Sequence, residues 1–319
     1  MTEESHDHKN PQHANYYNEL FQVINTFLFY ENWEIDIIID SNSKTAIHKI
    51  SSIYSRSLLP VGKSIIYQHW THNDFIALTK QSNAMYPLNY HEYSLLLSHV
   101  HRLYLPHYLE NYKYFMYTEH DMILTNTSFE LYTTRYQELW DMNWLYSWYR
   151  YDIQQSTGER MIEIFDSVTN PFVYITPSGH KYVWARWTSY TGQWILDYEQ
   201  MQNFRRTPYF ISGSYGKEFQ YNLSPRERVA FGYQYGDFNN SYLARTLIPL
   251  LEVMKDGKKK VLLDPLAGVH HSSNKYVKQL KYNDQDGEGY RWDNFDRAIT
   301  PLTCLENTRP DYIEKNDLS

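Results

Sequence analysis

Residues 114–124 read Tyr-Phe-Met-Tyr-Thr-Glu-His-Asp-Met-Ile-Leu, an apolar run that ends in two acids one residue apart. Such a run predicts a buried strand. Ligands of open α/β sheets bind outside the carboxyl ends of the strands, so this strand would deliver Glu119 and Asp121 to that edge. Mg²⁺ and Mn²⁺ prefer oxygen ligands and are usually held by one or two carboxylates plus phosphate oxygens. The acid pair therefore predicts a site for a divalent cation and a diphosphate, unless it is a solvated turn.

The pattern around this segment alternates between helix and strand. Apolar residues at helical spacing predict a helix over Tyr16–Tyr30, and strands are predicted at Trp33–Asp40 and Ser64–Tyr67. The other predicted elements are a helix over Tyr90–Tyr104 broken by Pro106, irregular strands within Trp140–Trp187, a strand at Gln193–Leu196, a helix from Tyr198 to Phe204, a helix opened by Ser224-Pro225-Arg226-Glu227, and a strand at Lys260–Leu263.

This alternation predicts an α/β fold with a mixed, mainly parallel sheet flanked by helices. No Pro/Gly/Ser-rich linker divides the 319 residues. We therefore expect a polar tail at 1–15, a single domain over 16–280 and a C-terminal extension over 281–319.

Composition excludes several classes of function. A net charge of -7 gives no general attraction for nucleic acid or an anionic membrane. The single cysteine, Cys304, excludes an internal disulfide framework and a thiolate metal cluster. The apolar runs are too short to cross a bilayer and the first residues do not form a signal peptide, so a soluble, cytoplasmic enzyme is the expectation, with the compartment left open. An aromatic share of 17% suits a sugar-binding surface, and an ordinary core explains it equally well.

Four blocks occur in an order that resembles the GT-A fold nucleotide-sugar glycosyltransferases. They are Tyr117-Thr118-Glu119-His120-Asp121-Met122, Gly192-Gln193-Trp194-Ile195-Leu196, Arg226-Glu227-Arg228 and Val269-His270-His271. The resemblance covers roughly residues 16–280. It implies a Rossmann-like fold, a nucleoside-diphosphate sugar as donor, a glycan or glycoconjugate hydroxyl as acceptor, and Mn²⁺ or Mg²⁺ as cofactor.

The same resemblance implies a set of metal and donor ligands. Glu119-His120-Asp121 corresponds to the metal-binding DXD motif, with Asp121 as the main ligand and Glu119 as a partner that contacts the metal or the ribose. His270 or His271 corresponds to a late histidine that completes the coordination, and Lys275 to a cation that meets the diphosphate. Alternation along a strand would point His120 away from both acids, although a role as an extra ligand stays open.

The acceptor side and the base follow from the remaining blocks. Gly192 would let a sugar approach closely and Trp194 would offer a face for stacking; the alternative is a strand kink and a core residue. Glu227 occupies the place of the catalytic base of inverting members, but it also fits a capping box. Asp197 is the competing candidate for the base and Glu218 a third.

One departure from the family concerns the beginning of the domain. The family's first strand precedes the nucleotide-contacting loop, whereas here a helix precedes the first convincing strand. Asp40, at the end of that strand, becomes the candidate contact for the nucleoside. An inverting transfer is the expected course, with a retaining course open. A glycoside hydrolase, with two carboxylates about 5 to 10 Å apart, and an inactive sugar-binding protein are the alternatives.

Overall fold

The computed structural model describes residues 11–71, 73–74, 97, 100–153, 158, 160–162, 173–184, 191–206, 210, 246–255, 257–273 and 299–301. The chain forms two compact units. The first consists of Met1–Glu31, Thr118–Gln193 and Tyr242–Glu306, and the second of Asn32–Tyr117, Trp194–Ser241 and Asn307–Ser319. The boundaries predicted at 15/16 and 280/281 stay predictions.

Among the residues that the structure describes, the first unit has two α-helices and most of the strands. Its helices are α1 (Pro11–Leu28) and α4 (Asn126–Asp141). Its strands are β4 (Met122–Ile123), β5 (Leu145–Tyr146), β6 (Tyr149–Ile153), β7 (Arg160–Ile162), β8 (Val173–Ile175), β9 (Lys181–Trp184), β11 (Thr246–Lys255), β12 (Lys258–Leu263), β13 (Gly268–His271) and β14 (Ile299–Pro301). A short 3-10 helix at Pro265–Ala267 joins β12 to β13.

Two mixed sheets build this unit. One has the order β12-β11-β9-β8-β14, with β5 also paired to β11, and the other has the order β4-β13-β6-β7. Strand β13 is parallel to β6 and antiparallel to β4, so it lies between them and carries its last residue, His271, opposite Met122. Tyr149, Val173 and Ile248 are fully buried in the core that the two sheets share.

The prediction of a GT-A type, mainly parallel sheet flanked by helices is wrong. Strand β9 is antiparallel to both β8 and β11, and β11 is antiparallel to β12. Parallel neighbours need a crossover of about a dozen residues or more, whereas short turns join β8 to β9 and β11 to β12. The turn between β8 and β9 closes through Gly179 at φ 88°, and the turn between β11 and β12 passes through Gly257 at φ 73°. The Asp-Gly pair at 256–257 is itself a hairpin signal in the sequence.

The second unit contains the elements that the sequence predicts best. Its strands β1 and β2 are parallel, and β3 pairs with β10. In the described part of this unit, the elements are β1 (Ile35–Ser41), α2 (Lys44–Ile53), β2 (Lys63–His69), α3 (His101–Tyr108), β3 (Tyr114–Thr118), β10 (Gln193–Asp197) and α5 (Tyr198–Arg206), with 3-10 helices at Arg56–Leu58 and Leu109–Asn111. Ser43 caps α2 by accepting a hydrogen bond from the amide of Ala46 at 3.2 Å.

The prediction that Pro106 breaks the helix is wrong, because α3 contains it and continues to Tyr108. Proline lacks the amide that would donate to the carbonyl four residues earlier, so the helix loses one hydrogen bond there, and it ends two residues later. The remainder of the helix predicted at Tyr90–Tyr104 lies mostly outside the described residues.

None of the helices that the structure describes combines the length and the apolar character needed to cross a bilayer.

Candidate functional site

The acid pair lies in a turn between β3 and β4 of the structure, as the apolar run predicts. Strand β3 ends at Thr118 and β4 begins at Met122, whose amide donates to the carbonyl of Glu119 at 3.2 Å. Ser272 binds the other end of the turn, because its amide and hydroxyl donate to the carbonyl of Asp121 at 2.8 and 3.1 Å. The end of β13 therefore fixes the backbone of Asp121.

A buried histidine connects two carboxylates in the first unit. His271 has an exposed fraction of 0%, and its Nδ1 lies 2.9 Å from Oδ1 of Asp152, which is also fully buried. Its Nε2 lies 3.0 Å from Oδ2 of Asp121 and 2.7 Å from the hydroxyl of Ser273. When Nδ1 carries the hydrogen and donates it to Asp152, the lone pair of Nε2 faces Asp121 and Ser273.

This donor set fits a divalent cation. A carboxylate oxygen and a neutral imidazole nitrogen are ordinary ligands of Mn²⁺. Two ligand atoms that each bind an octahedral cation at about 2.1 Å, at a right angle, lie about 3 Å apart. The observed 3.0 Å between Nε2 of His271 and Oδ2 of Asp121 matches that separation. The same contact also suits a hydrogen bond from a protonated imidazole, so the distance is compatible with both.

Asp121 also belongs to a second group of ligand atoms. Glu19, His120 and Asp121 each place one ligand atom so that all three lie within 4.8 Å of one another. Glu19 comes from α1 and His120 from the turn after β3. Nε2 of His120 lies 3.7 Å from Oε2 of Glu19, which is longer than a hydrogen bond.

The expectation that His120 points away from Asp121 is wrong. It assumed strand geometry through residue 121, where successive side chains alternate between faces. The chain forms a turn at His120 and Asp121, so alternation does not apply there. The ring of Tyr16 packs against the His120 ring, with 4.4 Å between centroids.

Glu119 lies against Gly192. The amide of Glu119 donates to the carbonyl of Gly192 at 2.9 Å. A Cβ added to Gly192 would lie 3.3 Å from Oε2 of Glu119 and 3.0 and 3.1 Å from two side-chain atoms of Met122. Gly192 also has φ +63°, which residues with a side chain rarely adopt. Gly192 therefore packs closely against Met122 and Glu119, and its contact with an acceptor sugar stays a prediction.

The structure separates the two candidate histidines. His271 meets Asp121, while the half-buried His270 stacks its ring on Tyr151, with 5.4 Å between centroids and 18° between planes. Adjacent residues of a strand face opposite sides, which explains the difference. Lys275, Glu218 and Glu227 lie outside the described residues.

Asp40, the predicted nucleoside contact, is a hydrogen-bonded carboxylate of the second unit. Tyr104 donates to its Oδ2 at 2.6 Å and the indole of Trp70 donates to its Oδ1 at 2.8 Å. Burial raises the pKa of Asp40 above its ordinary value, and these two hydrogen bonds counteract part of that rise. The carboxylate thereby links the end of β1 to α3, and the nucleoside contact stays a prediction.

Asp197 caps a helix of the second unit. Its Oδ1 accepts from the amide of Gln200 at 2.7 Å, while Oε1 of Gln200 accepts from the amide of Asp197 at 3.1 Å. This reciprocal pair is a capping box at the start of α5, the same arrangement that the sequence suggested for Glu227. The structure therefore gives Asp197 a structural role, and its service as a base stays a prediction.

Trp194 is a fully buried residue of the second unit. Its ring packs against Tyr117, His101 and Phe204 at centroid distances of 6.1, 5.7 and 6.0 Å. These contacts account for Trp194 as a core residue, and a stacking role toward an acceptor sugar stays a prediction.

Sequence reasoning missed Asp152 and Glu19. Asp152 gives a weak signal, an acid within the tyrosine-rich segment that forms β6. Glu19 gives a weaker one, because an acid on an amphipathic helix is ordinarily solvated. Neither signal indicates which residue the acid contacts, since the contacting residues are far apart in the chain.

Comparison with known proteins identifies no relative: no family model, no curated protein and no solved structure matches this chain. The fold and the site define a mixed α/β protein with a buried carboxylate–histidine cluster. Its function must be argued from that cluster.

Proposed function

We propose that this protein is a divalent-cation-dependent glycosyltransferase, which transfers a sugar from a nucleoside-diphosphate sugar to a hydroxyl of a glycan or glycoconjugate. The observation that carries the proposal is the 3.0 Å contact between Asp121 and His271, two residues that belong to separate blocks of the motif order. The proposal does not depend on a parallel sheet. It depends on a cation held beside the turn after β3.

The chemistry of the reaction explains the need for this cluster. When the bond between the anomeric carbon and the diphosphate breaks, negative charge develops on the departing phosphate. A bound Mn²⁺ or Mg²⁺ supplies a positive charge that stabilises that leaving group. Asp121 would hold the cation as the main ligand and His271 as a second, with Glu119 as the further predicted ligand on the same turn.

Asp152 would act as a positioning residue in this site. Its contact with Nδ1 of His271 fixes the ring and directs Nε2 toward Asp121. Ser272 holds the backbone of Asp121 from the same segment. The reacting end of the donor would therefore meet side chains whose orientation is set before the substrate arrives, which lowers the cost of organising the transition state.

An inverting course needs a base for the acceptor hydroxyl. Glu227 is the proposed base, and Asp197 is the weaker candidate because its carboxylate already caps α5. His270, Lys275, Gly192, Trp194 and Asp40 keep their predicted roles as proposals.

A screen of nucleoside-diphosphate sugars tests the function. We expect release of free nucleoside diphosphate from one donor with Mn²⁺ present, loss of the release with EDTA, and loss in Asp121→Asn. Asn keeps the size of the side chain and removes its charge. Cleavage of oligosaccharides without nucleotide or metal would contradict the proposal in favour of a glycoside hydrolase. Glycan binding without turnover of any donor would contradict it in favour of an inactive sugar-binding protein.

A further inference from the structure

We propose that helix α1 contributes to a cation site at Asp121: Glu19, His120 and Asp121 bind one divalent cation. This inference rests on the proposed function in one respect: both place a divalent cation at Asp121. It adds Glu19, which belongs to none of the four blocks and lies about 100 residues before Asp121 in the chain, and it assigns His120 the role of a ligand.

The separation of the His120 and Glu19 ligand atoms supports a shared cation. The ligand atoms of Glu19, His120 and Asp121 lie within 4.8 Å of one another, and the His120–Glu19 pair is separated by 3.7 Å. Ligand atoms bound at about 2.1 Å lie between about 3 Å apart at a right angle and about 4.2 Å apart on opposite sides. A distance of 3.7 Å falls within that range and exceeds a hydrogen bond. One imidazole and two carboxylates are also ordinary ligands of Mn²⁺, Co²⁺ and Zn²⁺.

The local structure directs these side chains toward Asp121. Tyr16 and Glu19 are three residues apart in α1 and therefore lie on one face of the helix. The Tyr16 ring packs against the His120 ring at 4.4 Å between centroids, which places His120 beside this face of α1.

The burial of the members suits a ligand site at the protein surface. Asp121 is only 5% exposed, whereas the side chains of His120 and Glu19 are 33% and 17% exposed. A cation bound there would meet a buried carboxylate on one side and solvent or a substrate phosphate on the other. This is the open coordination that Mn²⁺ and Mg²⁺ sites at phosphate substrates require.

Calorimetric titration of Mn²⁺ into the full chain tests the inference. We expect Glu19→Gln and His120→Gln each to weaken binding at least about tenfold, because each removes a ligand. Glu31→Gln is the matched control, since Glu31 is an exposed acid of the same unit, and its Kd should stay within about twofold of the wild-type value. Thermal unfolding without metal verifies that the variants fold.

A second readout covers the case in which a variant is unstable. Co²⁺ bound to the wild-type chain should give visible absorption that changes when Glu19→Asp moves the carboxylate by one methylene. Unchanged Mn²⁺ affinity in both variants, an unchanged Co²⁺ spectrum, or a wild-type chain without Mn²⁺ affinity would overturn the inference. If Asp121→Asn loses Mn²⁺ binding and Glu19→Gln does not, the inference fails while the proposed function stands. If no donor is turned over but Glu19→Gln weakens Mn²⁺ binding, the inference stands and the proposed function fails.

Discussion

Oδ1 of Asp152 lies 2.9 Å from Nδ1 of His271, and the side chains of both residues are fully buried. A carboxylate in contact with one nitrogen of an imidazole fixes the ring and increases the electron density at the other nitrogen. Since that other nitrogen faces Asp121, the pair orients the cluster on which the proposed function depends.

The substitution Asp152→Asn should therefore weaken Mn²⁺ binding by about 10- to 100-fold. Asn can still accept a hydrogen bond from Nδ1, but it carries no charge to increase the basicity of the ring. Calorimetry with Mn²⁺ measures the effect. Asp264→Asn is the control, because Asp264 is also buried in this unit and its carboxylate accepts a hydrogen bond from the amide of Leu266 at 2.9 Å. Equal Mn²⁺ affinities for the Asp152→Asn and Asp264→Asn variants would contradict a positioning role for Asp152.

Gly192→Ala should destabilise the protein more than Gly179→Ala does. Both glycines have positive φ, so each substitution carries backbone strain of about 1–2 kcal/mol. Only at Gly192 does the new methyl group meet Glu119 and Met122, whereas it meets nothing within 4 Å at Gly179. Urea unfolding measures the difference in the free energy of unfolding, which we expect to exceed about 1 kcal/mol. Equal decreases in the free energy of unfolding for the two variants would show that Glu119 and Met122 move aside without an energetic penalty.

Tyr104→Phe should destabilise the protein more at neutral pH than near pH 4. A carboxyl with a raised pKa binds its proton more tightly in the folded state, so its contribution to stability falls as pH rises from its ordinary pKa of 3.8 through the raised value. The variant removes a hydrogen bond to the charged form of Asp40, which raises that pKa further. Above the raised pKa of Asp40, where its carboxylate is charged, we expect Tyr104→Phe to lower the free energy of unfolding by about 1.5–3 kcal/mol.

The control for this substitution is Tyr67→Phe, which removes a hydroxyl that donates to the backbone carbonyl of Tyr54. A carbonyl does not titrate, so the loss of stability in Tyr67→Phe should be the same at both pH values. Urea unfolding at the two pH values gives both comparisons. A Tyr104→Phe loss that does not change with pH would show that Asp40 keeps one protonation state throughout.

Local signals in the sequence predicted the elements around the site. The strands predicted at Trp33–Asp40, Ser64–Tyr67 and Gln193–Leu196 are confirmed as β1, β2 and β10. Each predicted boundary lies within two residues of the observed one. The turn that carries Glu119 and Asp121 follows β3 as expected. These features depend on a few adjacent residues, which is why a pattern reveals them.

Contacts between distant residues were not predictable in the same way. The partner of His271 is Asp152, and the trio around Asp121 includes Glu19. Each pairing depends on which strands and helices become neighbours, and short strands such as β5 and β8 do not encode their partners locally. The same limit explains the incorrect fold class, because the sequence shows where strands occur more clearly than how they pair.

The most direct test is the binding of UDP and GDP to the full chain, measured by calorimetry with and without Mn²⁺, on the wild-type protein and on Asp121→Asn. The account predicts that one of the two nucleotides binds the wild-type chain only with Mn²⁺ present, and that Asp121→Asn loses this binding at least about 100-fold while it unfolds at nearly the same temperature. Nucleotide binding that is the same with and without Mn²⁺, or the same in both proteins, would contradict it.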